Sequence, residues 1–203
     1  TATVENPLRE GLRLERVPTP CAMVIFGASG DLTRRKLMPA LYNLAIEGLL
    51  PSGFSVVGYA RRDMSNETFR AQMRDAVDKY SRRSPVDPNV WETFEQGISY
   101  VDGNFEDADG YEKLSKELER LDKERGTAGN RIYYLAAPPG AYQTIVDNLG
   151  GAGLVGEEQD QSWTRLVVEK PFGRDLGSAI ALNEHLHTVF RENQIYRIDH
   201  YLG

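Results

Sequence analysis

Few residues in this 203-residue chain have the types and spacing to do chemistry, and the first set is a short glycine-bearing stretch. Gly27, Ala28, Ser29, Gly30, Asp31, Leu32, Thr33 and Arg34 follow directly on an apolar run at 21–26. Glycines placed there let a chain turn sharply out of a strand and let main-chain N–H groups approach an anion. A helix opening at the same point adds free first-turn N–H groups and positive potential. The chemistry this suits is pyrophosphate binding, and hence a dinucleotide. The pattern is GxxGxxT rather than GxGxxG, with Thr33 where a third glycine often sits. The competing reading is an ordinary strand-to-helix turn. A nucleoside-triphosphate loop is excluded, because its Gly-Lys-Ser/Thr triplet is absent.

The choice of dinucleotide falls to the end of the next apolar run, where the sequence reads Gly58-Tyr59-Ala60-Arg61-Arg62. An acid there would suit a ribose 2′-hydroxyl, whereas Arg61 suits a 2′-phosphate, so NADP is expected over NAD. Asp63 is near enough to compete, and two solvated arginines are the alternative. Further along, Lys170, Asp199, His200 and Tyr201 each sit just after a predicted strand, and Tyr142 lies just behind Pro138-Pro139. Each alone has a structural reading. His185 and His187 are two apart on one predicted helix and face different ways. With no cysteine cluster and no HExxH, no metal is expected.

These residues come together only if the elements that carry them form one parallel sheet. Strands are predicted at 21–26, 54–60, 98–101, 131–137, 165–169 and 194–199. Helices are predicted at 32–50 (bent at Pro39), 65–82 with Ser65 as cap, 89–96, 111–125, 141–149 and 176–192. Such alternation implies right-handed crossovers between parallel strands. Six strands match an α/β, Rossmann-type doubly wound sheet of order 3-2-1-4-5-6 with helices on both faces. Ligands of such sheets bind beyond the carboxyl ends of the strands, where all the residues above are placed by topology. Asp102-Gly103, at the end of the third strand, has no assigned role.

Composition bounds the rest. The chain carries 24 Lys and Arg against 30 Asp and Glu, a net charge of −6 that argues against a nucleic-acid partner. No apolar run approaches the roughly 18 residues a membrane span needs. No signal-peptide pattern opens the chain. The single cysteine, Cys21, forms no internal disulfide and reads as a buried small hydrophobe, so a reducing, cytoplasmic setting is expected. Residues 1–20 read as an extended lead-in with three prolines, and 21–203 as one nucleotide-binding domain.

The stretches GASGDLTRRKLMPALYNL, GYARR, YLAAPP, EKPFGRDL and RIDHYLG, in that order, resemble the glucose-6-phosphate dehydrogenase family. The resemblance runs from Cys21 to the end. It implies oxidation of the C1 hydroxyl of glucose 6-phosphate to a lactone with reduction of NADP, the entry to the oxidative pentose phosphate pathway. It implies that residues 27–34 form the cofactor loop, that Arg61 holds the 2′-phosphate and that Tyr142 lines the cofactor site. Lys170 would touch both substrate and nicotinamide, His200 and Tyr201 would hold the sugar phosphate, and Asp199 would orient a catalytic histidine. That histidine lies further on in the family, in a β+α domain through which members associate as homo-oligomers. A truncated chain or proteolytic product is therefore expected, monomeric or non-specifically associated. It should bind NADP weakly, fail to turn over, and expose apolar surface on its last helix and strand. Alternatives are another NAD(P)-dependent sugar oxidoreductase, or a non-catalytic nucleotide-binding module.

Overall fold

The computed structural model describes residues 18–156 and 162–199. Six strands are present: β1 (Ala22–Phe26), β2 (Ser55–Ala60), β3 (Ile98–Asp102), β4 (Arg131–Leu135), β5 (Thr164–Glu169) and β6 (Ile195–Ile198). Every pairing is parallel, and the order is β3-β2-β1-β4-β5-β6. The doubly wound sheet expected from the alternation is thus the observed one.

Near-continuous apolar runs in the inner strands follow from burial on both faces. In β1, Ala22, Val24 and Phe26 enter one core while Met23 and Ile25 enter the other. The first core is closed by α4 (Ala108–Arg125), α5 (Tyr142–Gly151) and α6 (Leu176–Leu186). The second is closed by α1 (Met38–Ile46), α2 (Asn66–Tyr80) and α3 (Pro88–Glu95), through Met38, Tyr42, Phe69, Met73 and Trp91. Burying each such side chain contributes roughly 1.5–3 kcal/mol. Helix starts follow local rules. Ser65 accepts the Thr68 N–H at 3.2 Å to cap α2. Asp175 accepts the Ser178 N–H at 2.8 Å to cap α6.

Several boundaries differ from expectation. The helix expected over 32–50 starts at Asp31, passes through a π turn, Thr33–Leu37, and continues as α1 only to Ile46. Pro39 therefore sits near the start of α1, where its missing N–H is tolerated, instead of bending a long helix. The wider π turn, closed by the Met38 N–H on the Thr33 carbonyl, absorbs the interruption. α6 stops at Leu186, not at residue 192. The chain must then turn so that Phe190 can enter the core, and a 3-10 turn, Glu192–Gln194, leads into β6. α5 runs through Gly150 to Gly151, and β4 ends at Leu135, two residues short of the expected strand end. α4 starts at Ala108 rather than at 111, with the Tyr111 hydroxyl donating back to the Phe105 carbonyl.

Of the lead-in, only residues 18–20 fall among those described. Their end is fastened to the domain. Thr19 Oγ1 accepts from the Trp163 indole at 3.1 Å, and the Pro20 carbonyl accepts from the Asn130 side chain at 2.9 Å.

Candidate functional site

Parallel register sets the geometry of the site. Phe26 lies opposite both Tyr59 and Leu135, Leu135 opposite Val168, Glu169 opposite Ile198, and Ala60 opposite Asp102. The strands therefore end along one rim. The segments leaving it begin at Gly27, Arg61, Gly103, Ala136, Lys170 and Asp199.

At the centre of the rim, Gly27 has φ +90°, a left-handed conformation that disfavours a side chain. A Cβ there would lie 2.4 Å from the Ala136 carbonyl oxygen, so only glycine lets β1 turn this close to the end of β4. The Gly27 and Ala28 N–H groups both donate to the Tyr59 carbonyl, at 2.9 and 3.3 Å. The Gly27 carbonyl accepts the Gly30 N–H at 2.9 Å and lies 3.5 Å from Thr33 Oγ1. Thr33 is buried, and its hydroxyl thus helps close the turn from within. Helical backbone begins at Asp31. The first-turn amides that follow, lacking intrahelical acceptors, are the anion-binding groups such a turn offers.

Arg61 leaves the end of β2 exposed to solvent and enters no ion pair among the described residues. Its backbone is held on either side, because the Tyr100 hydroxyl lies 3.1 Å from the Ala60 carbonyl and 2.6 Å from that of Arg62. Asp102-Gly103 proves to be structural. Asp102 pairs with Lys113 at 2.7 Å, and Gly103 leaves room for the Tyr59 hydroxyl, which donates to the Asn104 carbonyl at 2.9 Å.

On the other side of Gly27, β5 delivers Lys170. Its N–H donates to the Ile198 carbonyl at 3.0 Å, and Nζ reaches Asp199 Oδ2 at 2.8 Å. Both side chains are more than half exposed, so the pair is worth under about 1 kcal/mol and is readily exchanged for a ligand. The Lys170–Pro171 peptide is cis. One residue earlier, the Glu169 carboxylate accepts from the Tyr134 hydroxyl. Burial raises the Tyr134 phenol above its ordinary range, and the hydrogen bond and charge of Glu169 raise it further. Tyr142, buried at the start of α5, is raised by burial and by the same carboxylate. The residue types alone did not signal the Tyr134–Glu169 contact. It follows from register, since Tyr134 pairs with Val167 on the strand that ends in Glu169.

Residues 27–34, Arg61, Tyr142, Lys170 and Asp199 are accordingly all carried by the one rim. His200 and Tyr201 lie outside the described residues. His185 Nε2 lies 2.8 Å from Asp147, while His187 bonds Asn183 and Glu192, so the two rings serve separate contacts. Among the described residues there is no group of three or more metal-ligating side chains, and no helix is long and apolar enough to cross a membrane.

Comparison with known proteins gives this geometry its context. The family model described as "Glucose-6-phosphate dehydrogenase, NAD binding domain" matches residues 24–203. The chain belongs to the glucose-6-phosphate dehydrogenase family. It is 47% identical over 204 residues to glucose-6-phosphate 1-dehydrogenase 2 of Mycobacterium tuberculosis, covering 100% of this chain and 39% of that protein. It is 50% identical over 186 residues to glucose-6-phosphate 1-dehydrogenase of Chlamydia muridarum, covering 91% of this chain and 37% of that one. A solved glucose-6-phosphate dehydrogenase in complex with glucose 6-phosphate superposes with a TM-score of 0.79 at 35% identity, over 92% of this chain and 37% of the other. The enzyme from Mycobacterium avium gives 0.75 at 32%, over 91% and 37%. The rim described above is therefore the strand-end edge of a glucose-6-phosphate dehydrogenase nucleotide-binding domain, and the chain spans less than two-fifths of the curated relatives cited.

Proposed function

We propose that this chain is the NADP-binding part of a glucose-6-phosphate 1-dehydrogenase, with residues 21–203 as its coenzyme domain. The observation that carries this reading is the shared rim: a Gly27 turn that admits no side chain, flanked by Arg61 on one side and the Lys170–Asp199 pair on the other. The residues present fit a phosphorylated dinucleotide. Main-chain amides of the first helical turn suit the pyrophosphate, and the guanidinium of Arg61 suits a 2′-phosphate through forked, charge-assisted bonds. When bound, the nicotinamide supplies a hydride acceptor.

The chain's own residues then bind and orient. Lys170, released from Asp199 at little cost, offers an ammonium to an anionic or hydroxylic substrate group beside the coenzyme. Asp199, at the end of β6, is placed to hold an imidazole in the tautomer and orientation that general-base work requires. His200 and Tyr201 are assigned to the sugar phosphate. The base is assigned to polypeptide that the longer relatives carry, and homo-oligomer formation to the same region. Leu176, Ile180 and Tyr196, exposed on α6 and β6, offer an apolar surface for it.

Calorimetric titration of NADP and NAD tests the reading. Arg61→Ala should weaken NADP binding roughly 10–100-fold and leave NAD nearly unchanged. The 203-residue chain should form no NADPH from glucose 6-phosphate. Equal losses for both dinucleotides would remove the 2′-phosphate assignment, and substrate-dependent NADPH formation would overturn the assignment of the base.

A further inference from the structure

A second concentration of charge lies away from the rim. α1 and the chain beyond α2 enclose a cleft of about 740 Å³. Arg35 and Lys36 of the π turn line one side, and Arg82 and Arg83 line the other. Glu47 is the one carboxylate among its lining residues. This is four cations against one anion, in a chain whose net charge is −6.

Elsewhere a minority of the cations are paired: Lys113 with Asp102, Arg120 with Glu117, Arg131 with Asp122, Lys170 with Asp199 and Arg197 with Glu192. In the cleft, only Arg83 has a carboxylate, Glu47 at 3.6 Å. Arg35, Lys36 and Arg82 enter no ion pair among the described residues. Like charges gathered without counter-charges repel, and an anion between them relieves that repulsion.

The two walls are also fixed relative to each other. Ser81 donates to the Asn43 side chain at 2.7 Å, tying the end of α2 to α1. The Arg83 N–H donates to Ser81 Oγ at 3.0 Å, and the Asp87 N–H donates to the Tyr42 hydroxyl at 2.8 Å. The Arg35 guanidinium lies over the Tyr80 ring, 5.3 Å from its centroid. Such preorganisation lowers the ordering cost of binding. Neither Arg61 nor any residue of the Gly27–Thr33 turn lines the cleft, so it is separate from the dinucleotide rim.

We propose that this cleft binds a small molecule carrying two or more phosphoryl groups, recognised through those groups alone. Arginine forks match phosphate oxygens, and cations on two walls call for at least two anionic groups. The Tyr80 ring is already engaged by Arg35 and by Lys79, each 5.3 Å from its centroid, and is not left for a nucleobase.

The test is calorimetric titration of inorganic tripolyphosphate, ATP and AMP at about 0.15 M salt, with and without saturating NADP. One equivalent of tripolyphosphate and of ATP should bind with similar affinity whether or not NADP is present, and AMP at least about ten-fold more weakly. The double substitution Arg82→Ser/Arg83→Ser, and separately Arg35→Gln, should each weaken tripolyphosphate about ten-fold or more while leaving NADP affinity unchanged. Absence of tripolyphosphate binding overturns the proposal. So does binding that NADP displaces, which would locate the anion at the rim, or binding that neither variant weakens. A far tighter affinity for ATP than for tripolyphosphate would show base recognition and would equally sink it. Because the NADP titrations are read separately, failure here and failure of the coenzyme assignment are distinguishable.

Discussion

Replacing Gly27 with alanine tests the structural basis of the site most directly. Two costs add. The residue holds φ +90°, and forcing an L side chain into a sparsely populated region costs about 1–3 kcal/mol. The new methyl would also begin 2.4 Å from the Ala136 oxygen and 2.9 Å from its carbonyl carbon. Both are backbone atoms, so no side chain can swing aside, and the start of the Pro138-Pro139 segment must shift. Overpacking of this kind costs about 1–3 kcal/mol. The sum is about 2–6 kcal/mol, or roughly 5–20 °C in Tm for a chain of this size. Thermal unfolding followed by circular dichroism gives the first readout, and NADP titration of the folded fraction gives the second. Affinity should fall at least ten-fold, since the helical amides proposed for the pyrophosphate follow directly on this turn. Gly140→Ala is the control, because a Cβ there meets nothing within 4 Å, and it should change stability by no more than about 0.5 kcal/mol. A Gly27→Ala protein melting within about 2 °C of the parent, with unchanged NADP affinity, would show that the turn accepts a side chain.

Two further outcomes concern stability. Asp122 joins the end of α4 to the start of β4, accepting from Arg131 and Thr127 at 2.5 Å each and from the Gly129 N–H at 2.9 Å. Asp122→Asn should cost roughly 3 kcal/mol in urea unfolding, because it leaves a buried guanidinium unpaired, whereas Lys113→Ala at an exposed pair should cost under about 1 kcal/mol. Burial raises the Asp122 carboxyl, but its bonds to Arg131, Thr127 and Gly129 outweigh that and hold it below the ordinary carboxylate range. The stability it contributes is thus present above the unfolded value near 3.9 and is lost as pH falls through the lower folded value. The acid limb of a stability–pH profile should shrink in Asp122→Asn, and an identical limb would contradict this. At the alkaline end, burial raises the phenols of Tyr59, Tyr111, Tyr133 and Tyr134. Their contribution is complete below the unfolded value near 10 and declines as pH rises beyond it. Tyrosinate absorbance from these rings should therefore appear together with loss of circular dichroism, and free titration in the folded chain would count against their burial.

The strands, their order and the rim were legible in the sequence because short apolar runs alternate with helical patterns, and parallel topology then leaves little choice. Arg61, Lys170 and Asp199 could be placed by counting from strand ends. What was hidden is set by contacts between distant segments. The π turn at Thr33–Leu37 leaves no signature in an apolar period that also suits an α-helix. The early end of α6 depends on Phe190 reaching a core built by other elements. Asp102 and Gly103 acquire their roles from Lys113 on α4 and Tyr59 on β2, and Glu169 acquires Tyr134 from β4. The four cations of the cleft are contributed by two stretches some forty-five residues apart, so neither stretch alone reads as a site.

The glycine turn is fitted to its surroundings by contacts of the same long-range kind. Ala28 is fully buried, and its methyl needs space that a glycine would not. That space comes from Gly58 on β2: a Cβ on Gly58 would stand 3.0 Å from the Ala28 Cβ and 2.5 Å from Phe69 Cζ. The same space admits the Phe69 ring of α2, which packs behind the turn. Thr33, where a third glycine often closes helix against strand, sits buried at the head of the π turn with its hydroxyl toward the Gly27 carbonyl. Ala28 thus has its room from Gly58 on the neighbouring strand, whereas Gly27 admits no side chain without a backbone shift, since its neighbour is the Ala136 carbonyl.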